Sequence, residues 1–345
     1  MGGDIEMSDD LAANNFVRLP WHDAAIDGWL TSQRRAQNGH AYLLTHECPE
    51  EARLFAARLS AVLVCAEFEA SEPCGACRGC RLREQSAHGD LLVVEKEEGK
   101  SAISIDQIRT ASRFLQQTAL FGTHKIVVIN DAEGMTQAAA NSLLKTLEEP
   151  AGDSVLLLTS SMPWRLPATV RSRCQLLRLA TASRDVALSW LLSQGVGQAD
   201  ANTALGCFSG RPTEALAALM GDHVASVTAI DASFAMLEQF DNGPYLPPNE
   251  WLNQEPAEVM TRLLAVVESR LGAMGASALR RGGRDWLLLH KCVGEVLSRL
   301  HSGAYPARDI LLGQVALLCG QCGQPRFADI AHEFLAVLGR PGFSG

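Results

Sequence analysis

Residues 41–65 read AYLLTHECPEEARLFAARLSAVLVC. The apolar run at 41–44 is strand-like and a helix-like segment runs on to Cys65, so HECPEEAR, residues 46–53, is a strand-to-helix junction. In many nucleotide-binding proteins that junction is a glycine-rich phosphate cradle. This one holds a proline, three glutamates and no glycine.

Outward from this junction, short β-like runs alternate with helical segments over the first 180 or so residues, which is the pattern of an α/β domain with a largely parallel sheet. The strands are expected at 41–44, 91–95, 126–130 and 155–159, and the helices at 49–65, 106–118 and 135–149. Asp106 is the expected N-cap of the second helix, and Pro150, which has no N–H, ends the third. Beyond about Ala180 the reading is helical, with segments at 183–194, 213–220, 224–240, 257–271, 285–301, 307–318 and 327–338. Ile310, Leu311, Val315 and Leu318 recur at three- and four-residue intervals, the mark of a buried helix face. NGPYLPPNE at 242–250 is expected to be a loop.

A chain of 345 residues has room for two or three domains. No apolar run approaches the roughly 20 residues needed to span a bilayer, and the first sixteen residues are polar and acidic rather than signal-like. A soluble cytoplasmic protein with no membrane partner is expected, with residues 1–16 a disordered extension. The formal charge of −9 argues against strong autonomous nucleic-acid binding, which rests on clustered Lys and Arg. The one basic cluster, Arg280, Arg281 and Arg284, reads as a solvated loop between helices.

Four of the ten cysteines lie in CAEFEASEPCGACRGC, residues 65–80, spaced C-x8-C-x2-C-x2-C. Cys65, Cys74, Cys77 and Cys80 are the donor set of a closed, tetrahedral zinc site, which supports folding and leaves no position for substrate. Gly75 and Gly79 are placed where a metal knuckle needs permissive φ angles. The pair Cys319 and Cys322 falls in a helical region rather than after a strand and reads as two helix-end thiols.

Three stretches together resemble the clamp-loader subunits of bacterial DNA polymerase III, which belong to the AAA+ class. They are NGHAYLL at 38–44 followed by the cysteine cluster, NSLLKTLEEP at 141–150, and LPATVRSRC at 166–174. The likeness covers about 200 residues well and continues loosely through the helical remainder. It implies an AAA+ α/β core at 17–181 with a zinc module at 65–80, a helical lid at 182–223 and an all-α collar at 224–345.

In active members of that family the junction carries G-x-x-x-x-G-K-[ST], whose backbone N–H groups and lysine hold phosphates. Read without a gap, His46 and Glu51 stand at the two glycines, Ala52 at the lysine and Arg53 at the Ser/Thr. Pro49, Glu50 and Glu51 would start the helix well while placing carboxylates where phosphate would sit. In KIVVINDAEGM, Asp131 takes the Mg²⁺ position, Ala132 replaces the catalytic glutamate and Glu133 comes one residue late. The lid's sensor arginine position falls on Thr213, with Arg211 displaced by two. What the family pattern retains is SRC, residues 172–174, whose Arg173 the resemblance implies to be a finger reaching a neighbour's ATP site.

The combined reading is an ATPase-inactive clamp-loader subunit that binds structural Zn²⁺ but no ATP. The resemblance implies a ring with gamma/tau ATPases and a delta subunit, acting on the β sliding clamp and primer-template DNA in the replisome. Two rivals are an active gamma/tau-like ATPase and a stand-alone zinc-containing DNA-binding protein.

Overall fold

The computed structural model describes residues 17–34, 39–68, 71–97, 99–100, 102–121, 124–150, 152–208, 210–220, 223–238, 247–302 and 308–338. The expected N-terminal extension and residues 242–246 of the expected loop lie outside the described residues. The chain divides after Val186 into two compact units.

The first unit contains α1 (Asp23–Arg34), β1 (Ala41–Thr45), α2 (Pro49–Val64), α3 (Arg78–Glu84), β2 (Leu91–Val94), α4 (Ile105–Leu115), β3 (Lys125–Ile129), α5 (Gln137–Glu148), β4 (Ser154–Ser160), α6 (Ala168–Arg171) and β5 (Gln175–Arg178). All strand pairs are parallel, in the order β2-β3-β4-β1-β5, with Tyr42 opposite Leu157 and Leu43 opposite Leu176. Alternation along each strand assigns its side chains to two layers. Tyr42, Leu44, Ile126, Val128, Val155 and Leu157 pack with Phe55 and Leu59 of α2, whereas Leu43, Val127, Ile129, Leu156 and Leu158 pack with Ile108 of α4 and Leu143 of α5. The central strands are therefore apolar on both faces, as a sheet covered by helices on each side requires.

The four expected strands and three expected helices of this unit are present, and three details differ. α4 is capped by Ser104, whose Oγ accepts from the Gln107 N–H at 3.3 Å while Gln107 Oε1 accepts from the Ser104 N–H at 2.9 Å. This capping box displaces Asp106, which becomes a first-turn acid. β5 went unread because it is an edge strand with exposed Gln175, Leu176 and Arg178, so it lacks the apolar signal of the inner strands. Gly75 has φ of 68° as expected, but Gly79 lies inside α3. Gly79 is needed for a different reason: a Cβ there would stand 2.2 Å from the Val64 carbonyl oxygen.

Among its described residues the second unit is helical: α7 (Arg184–Ser193, which starts at the division), α8 (Gln198–Cys207), α9 (Pro212–Met220), α10 (His223–Glu238), α11 (Asn249–Leu252), α12 (Pro256–Ala273), α13 (Ala276–Ser302), α14 (Arg308–Gln321) and α15 (Phe327–Leu338). Its core gathers Phe234, Trp251, Leu263, Val293, Val315 and Phe327, and the Trp251 indole donates to Ser233 Oγ at 2.8 Å. α13 starts nine residues earlier than expected, so Arg280 and Arg284 are exposed on a helix rather than in a loop. The helix-forming run ASALRR outweighs the roughly 1 kcal/mol cost of each of Gly282 and Gly283. Cys319 is buried in the last turn of α14 and Cys322 follows its end, as expected. No described helix is long and apolar enough to cross a membrane.

Candidate functional site

Parallel strands bring their carboxyl ends to one edge, where the loops after β1, β3 and β4 meet. The His46 N–H donates to the Ser160 carbonyl at 3.4 Å, and the Asp131 N–H donates to Thr159 Oγ1 at 3.0 Å. The junction quoted above and the acidic motif are therefore neighbours.

Helix α2 starts at Pro49, and its N-cap, Cys48, makes no side-chain capping bond. His46 folds back over this start, its Nδ1 lying 3.1 Å from the Cys48 nitrogen and 3.2 Å from the Cys48 carbonyl oxygen. Glu51 does not face an open cradle; its side chain is 1% exposed. Its Oε2 accepts from Trp21 Nε1 at 2.9 Å and stands 3.4 Å from His46 Nε2 and 3.7 Å from His22 Nε2. His22 Nε2 also lies 3.1 Å from the Ala180 carbonyl oxygen, and burial, reinforced by His46, depresses the His22 pKa to about 4. Glu51, expected among the carboxylates at the phosphate position, is folded inward and enclosed.

Arg53 bridges the two motifs. Its Nη2 is paired with Asp131 Oδ2, its Nε lies 3.4 Å from Asp131 Oδ1, and its Nη1 lies 3.7 Å from Glu50 Oε2. The guanidinium at the expected Ser/Thr position is therefore bonded directly to the carboxylate at the expected metal position. Asp131 has φ of 49°, a left-handed conformation that Asp tolerates better than most residues. Ala132 is fully buried. Glu133 turns away toward the loop after β4, where its Oε1 accepts from Ser161 N–H at 3.2 Å, Ser161 Oγ–H at 3.0 Å and Met162 N–H at 3.3 Å. In the second unit, Thr213 is buried and Arg211 is paired with Glu214 at 2.9 Å.

Arg173 follows the short α6. Cys174 packs against the core beneath α5, burial raising its thiol pKa to about 11, while Arg173 projects with 36% of its side chain exposed. Its Nε and Nη2 bond Glu148 Oε1 at 2.9 and 2.5 Å, and its Nη1 donates to the Thr169 carbonyl at 3.0 Å.

The sulfurs of Cys65, Cys74, Cys77 and Cys80 lie within 4.8 Å of one another. A tetrahedron with metal–sulfur bonds of about 2.3 Å has edges of about 3.8 Å, and the Cys65–Cys77 sulfur separation is 4.0 Å. The N–H groups of Cys74 and Glu67 point at Cys65 Sγ from 3.3 and 3.4 Å, and that of Cys80 at Cys77 Sγ from 3.4 Å. Burial pushes the Cys77 thiol up, but the N–H groups of Cys80 and Ala66 outweigh it and bring the pKa down to about 6. The cluster can hold a metal ion as the spacing implies.

Sequence reading missed Trp21, His22 and Glu148, the partners of Glu51 and Arg173. Trp21 and His22 lie about 25 residues before the junction and carry no motif; Glu148 lies within LEEP, but its salt bridge is a tertiary contact.

An all-parallel sheet of this order, with the expected phosphate-loop and acidic-motif positions gathered at one edge, has the arrangement that the AAA+ resemblance implies. Residues 21–183, just under half of the chain, match the family described as "DNA polymerase III, delta subunit". It is 41% identical over 172 residues to DNA polymerase III subunit delta' of Pseudomonas aeruginosa, covering 50% of this chain and 52% of that protein. To subunit delta' of Escherichia coli strain K12 it is 37% identical over 198 residues, covering 56% and 59%. To DNA polymerase III subunit tau of Bacillus subtilis it is 29% identical over 137 residues, covering 39% and 24%. The chain thus spans between half and three fifths of the length of the two delta' relatives.

Proposed function

We propose that this chain is a delta'-type, non-ATPase subunit of a DNA polymerase III clamp loader, working in the cytoplasm. In that reading residues 182–223 are a lid, residues 224–345 are a collar that joins a ring with gamma/tau and delta subunits, and Arg173 completes a neighbouring gamma/tau ATP site. The ring would load the β sliding clamp onto primed DNA, and the four cysteines would hold a structural Zn²⁺. The observation that carries the reading is the pairing of Arg53 with Asp131, which puts the chain's own cation at the position where an active member holds Mg²⁺.

In mechanistic terms the chain supplies a permanently charged planar fork and no nucleotide pocket of its own. Arg173 is partly exposed and oriented by Glu148 and the Thr169 carbonyl, so it could exchange those acceptors for phosphate oxygens presented by a neighbour. Such a finger contributes about 10³–10⁵ in rate where it has been removed from other phosphoryl-transfer sites. The bound zinc would fix the fold of the module through Cys65, Cys74, Cys77 and Cys80.

The test is reconstitution with gamma/tau and delta subunits, measuring DNA- and clamp-stimulated ATP turnover with wild-type and Arg173→Ala protein. Arg173→Ala should assemble normally and depress turnover. Unchanged turnover removes the finger, and micromolar binding of labelled ATP to the isolated chain through residues 46–53 removes the non-ATPase reading.

A further inference from the structure

We propose that His22, His46 and Glu51 form a second metal site, a histidine–carboxylate site for a first-row divalent cation such as Zn²⁺ or Co²⁺, inside the degenerate phosphate loop. It lies in the first unit with the four-cysteine cluster but shares none of its ligands, and it does not depend on the clamp-loader reading.

Three donors converge: one nitrogen from each imidazole and one carboxylate oxygen lie within 4.8 Å of one another. The Glu51 oxygen is 3.4 and 3.7 Å from the two Nε2 atoms. Bonds of 2.0–2.1 Å to a tetrahedral ion require donor separations of about 3.3–3.4 Å, so small side-chain adjustments close the site. The Ala180 carbonyl oxygen lies 3.1 Å from His22 Nε2, so a bound ion would replace the hydrogen bond that an Nε2–H donates to it. Two imidazoles and one carboxylate suit a borderline cation rather than Mg²⁺ or Ca²⁺, which favour oxygen donors.

The surroundings are those of a ligand shell. Nδ1 of His46 is held by the Cys48 backbone, 3.1 Å from its N–H and 3.2 Å from its carbonyl oxygen, which fixes the ring with Nε2 facing Glu51. Nε2 of His46 makes no hydrogen bond although it is buried. At 3.4 Å from the Glu51 carboxylate oxygen, this nitrogen is placed to meet it through a proton or a metal ion. The Trp21 indole N–H holds the same carboxylate at 2.9 Å, the kind of outer hydrogen bond that orients a ligating group. All three side chains are 2% exposed or less, so a bound ion would also offset the cost of burying the Glu51 charge.

The experiment titrates the full-length, metal-stripped chain with Co²⁺, following absorbance and bound metal per chain. The wild-type protein is expected to take up one equivalent with the intense thiolate charge-transfer absorption of the cysteine cluster and a second equivalent without it. His46→Asn keeps a polar atom near the Nδ1 position for the Cys48 backbone and removes the Nε2 donor. It should lose the second equivalent only, with circular dichroism unchanged, and Glu51→Gln should do the same. Cys77→Ser should alter the thiolate band and spare the second equivalent. The proposal is overturned if all Co²⁺ taken up by the wild-type chain carries thiolate absorption, the result expected if a shared proton rather than a metal joins the three groups. It is overturned equally if folded His46→Asn and Glu51→Gln proteins retain the second equivalent. Should a variant fail to fold, wild-type uptake decides alone.

Discussion

Arg173 is held by Glu148. Two guanidinium nitrogens, Nε and Nη2, converge on one carboxylate oxygen at 2.9 and 2.5 Å, and Nη1 is taken by the Thr169 carbonyl at 3.0 Å. Both residues are partly exposed, so the pair contributes less than about 1 kcal/mol to folding. Its consequence is geometric: a long side chain with about 2 kcal/mol of rotamer entropy is kept in one orientation before any partner arrives. Glu148→Gln should therefore leave the melting temperature within a degree or two of wild type. In a reconstituted ring it should lower ATP turnover several-fold, less than Arg173→Ala does. If Arg173→Ala depresses turnover and Glu148→Gln does not, Glu148 is a surface partner without a positioning role.

The bridge between Arg53 and Asp131 makes a separate prediction. Arg53 is 39% exposed and Asp131 21%, an intermediate setting in which solvent screens part of the attraction. A double-mutant cycle of Arg53→Met and Asp131→Asn, read by urea unfolding, should give a coupling of about 0.5–1.5 kcal/mol. Arg53→Met alone should not create ATP binding, because Ala52 still lacks the lysine ammonium and Glu51 still fills the cradle. ATP binding by the single variant would mean that the arginine alone closes the site.

How much of this was legible in the sequence follows from the range of each interaction. β1, β3 and β4 and helix α2 announce themselves because the inner strands are apolar on both faces and α2 starts at a proline. The departure of positions 46–53 and 131–132 from the phosphate-loop and acidic-motif patterns is likewise legible locally. The enclosure of Glu51 is not, since Trp21 and His22 reach it from 30 and 29 positions away. The link between Arg53 and Asp131 spans 78 positions and exists only once β1 and β3 lie in the same sheet. Gly79 illustrates the same limit: the sequence pointed to a permissive φ, whereas the glycine lies in α3 and is required by a carbonyl on α2 that only the tertiary structure brings close.

The cap of α4 can be tested simply. Ser104 makes both halves of the capping box with Gln107, whereas Asp106 is 85% exposed and pairs only with Arg109 at 3.5 Å. Ser104→Ala should destabilise the first unit by about 1 kcal/mol. Asp106→Ala, which removes a favourable charge near the helix N-terminus, should cost about 0.3–0.5 kcal/mol. Equilibrium unfolding of the two variants would decide between them, and a larger effect at Asp106 would restore it as the cap.

Gly79 joins the metal cluster to the α/β core. A methyl group there would meet the Val64 carbonyl oxygen at 2.2 Å, and that oxygen belongs to the last residue of α2, next to the ligand Cys65. Because the obstacle is backbone, α3 must move away from α2, carrying Cys80 away from Cys65. Gly79→Ala should weaken the hold of the four cysteines on an added metal ion, seen as faster release to a chromophoric chelator, and should lower the melting temperature. Gly75→Ala is a useful contrast: its site has open space but φ of 68°, so its cost of about 1–2 kcal/mol is backbone strain and not a collision. If Gly79→Ala holds the added metal ion as firmly as wild type, the close approach of α3 to Val64 does not set the geometry of the cluster.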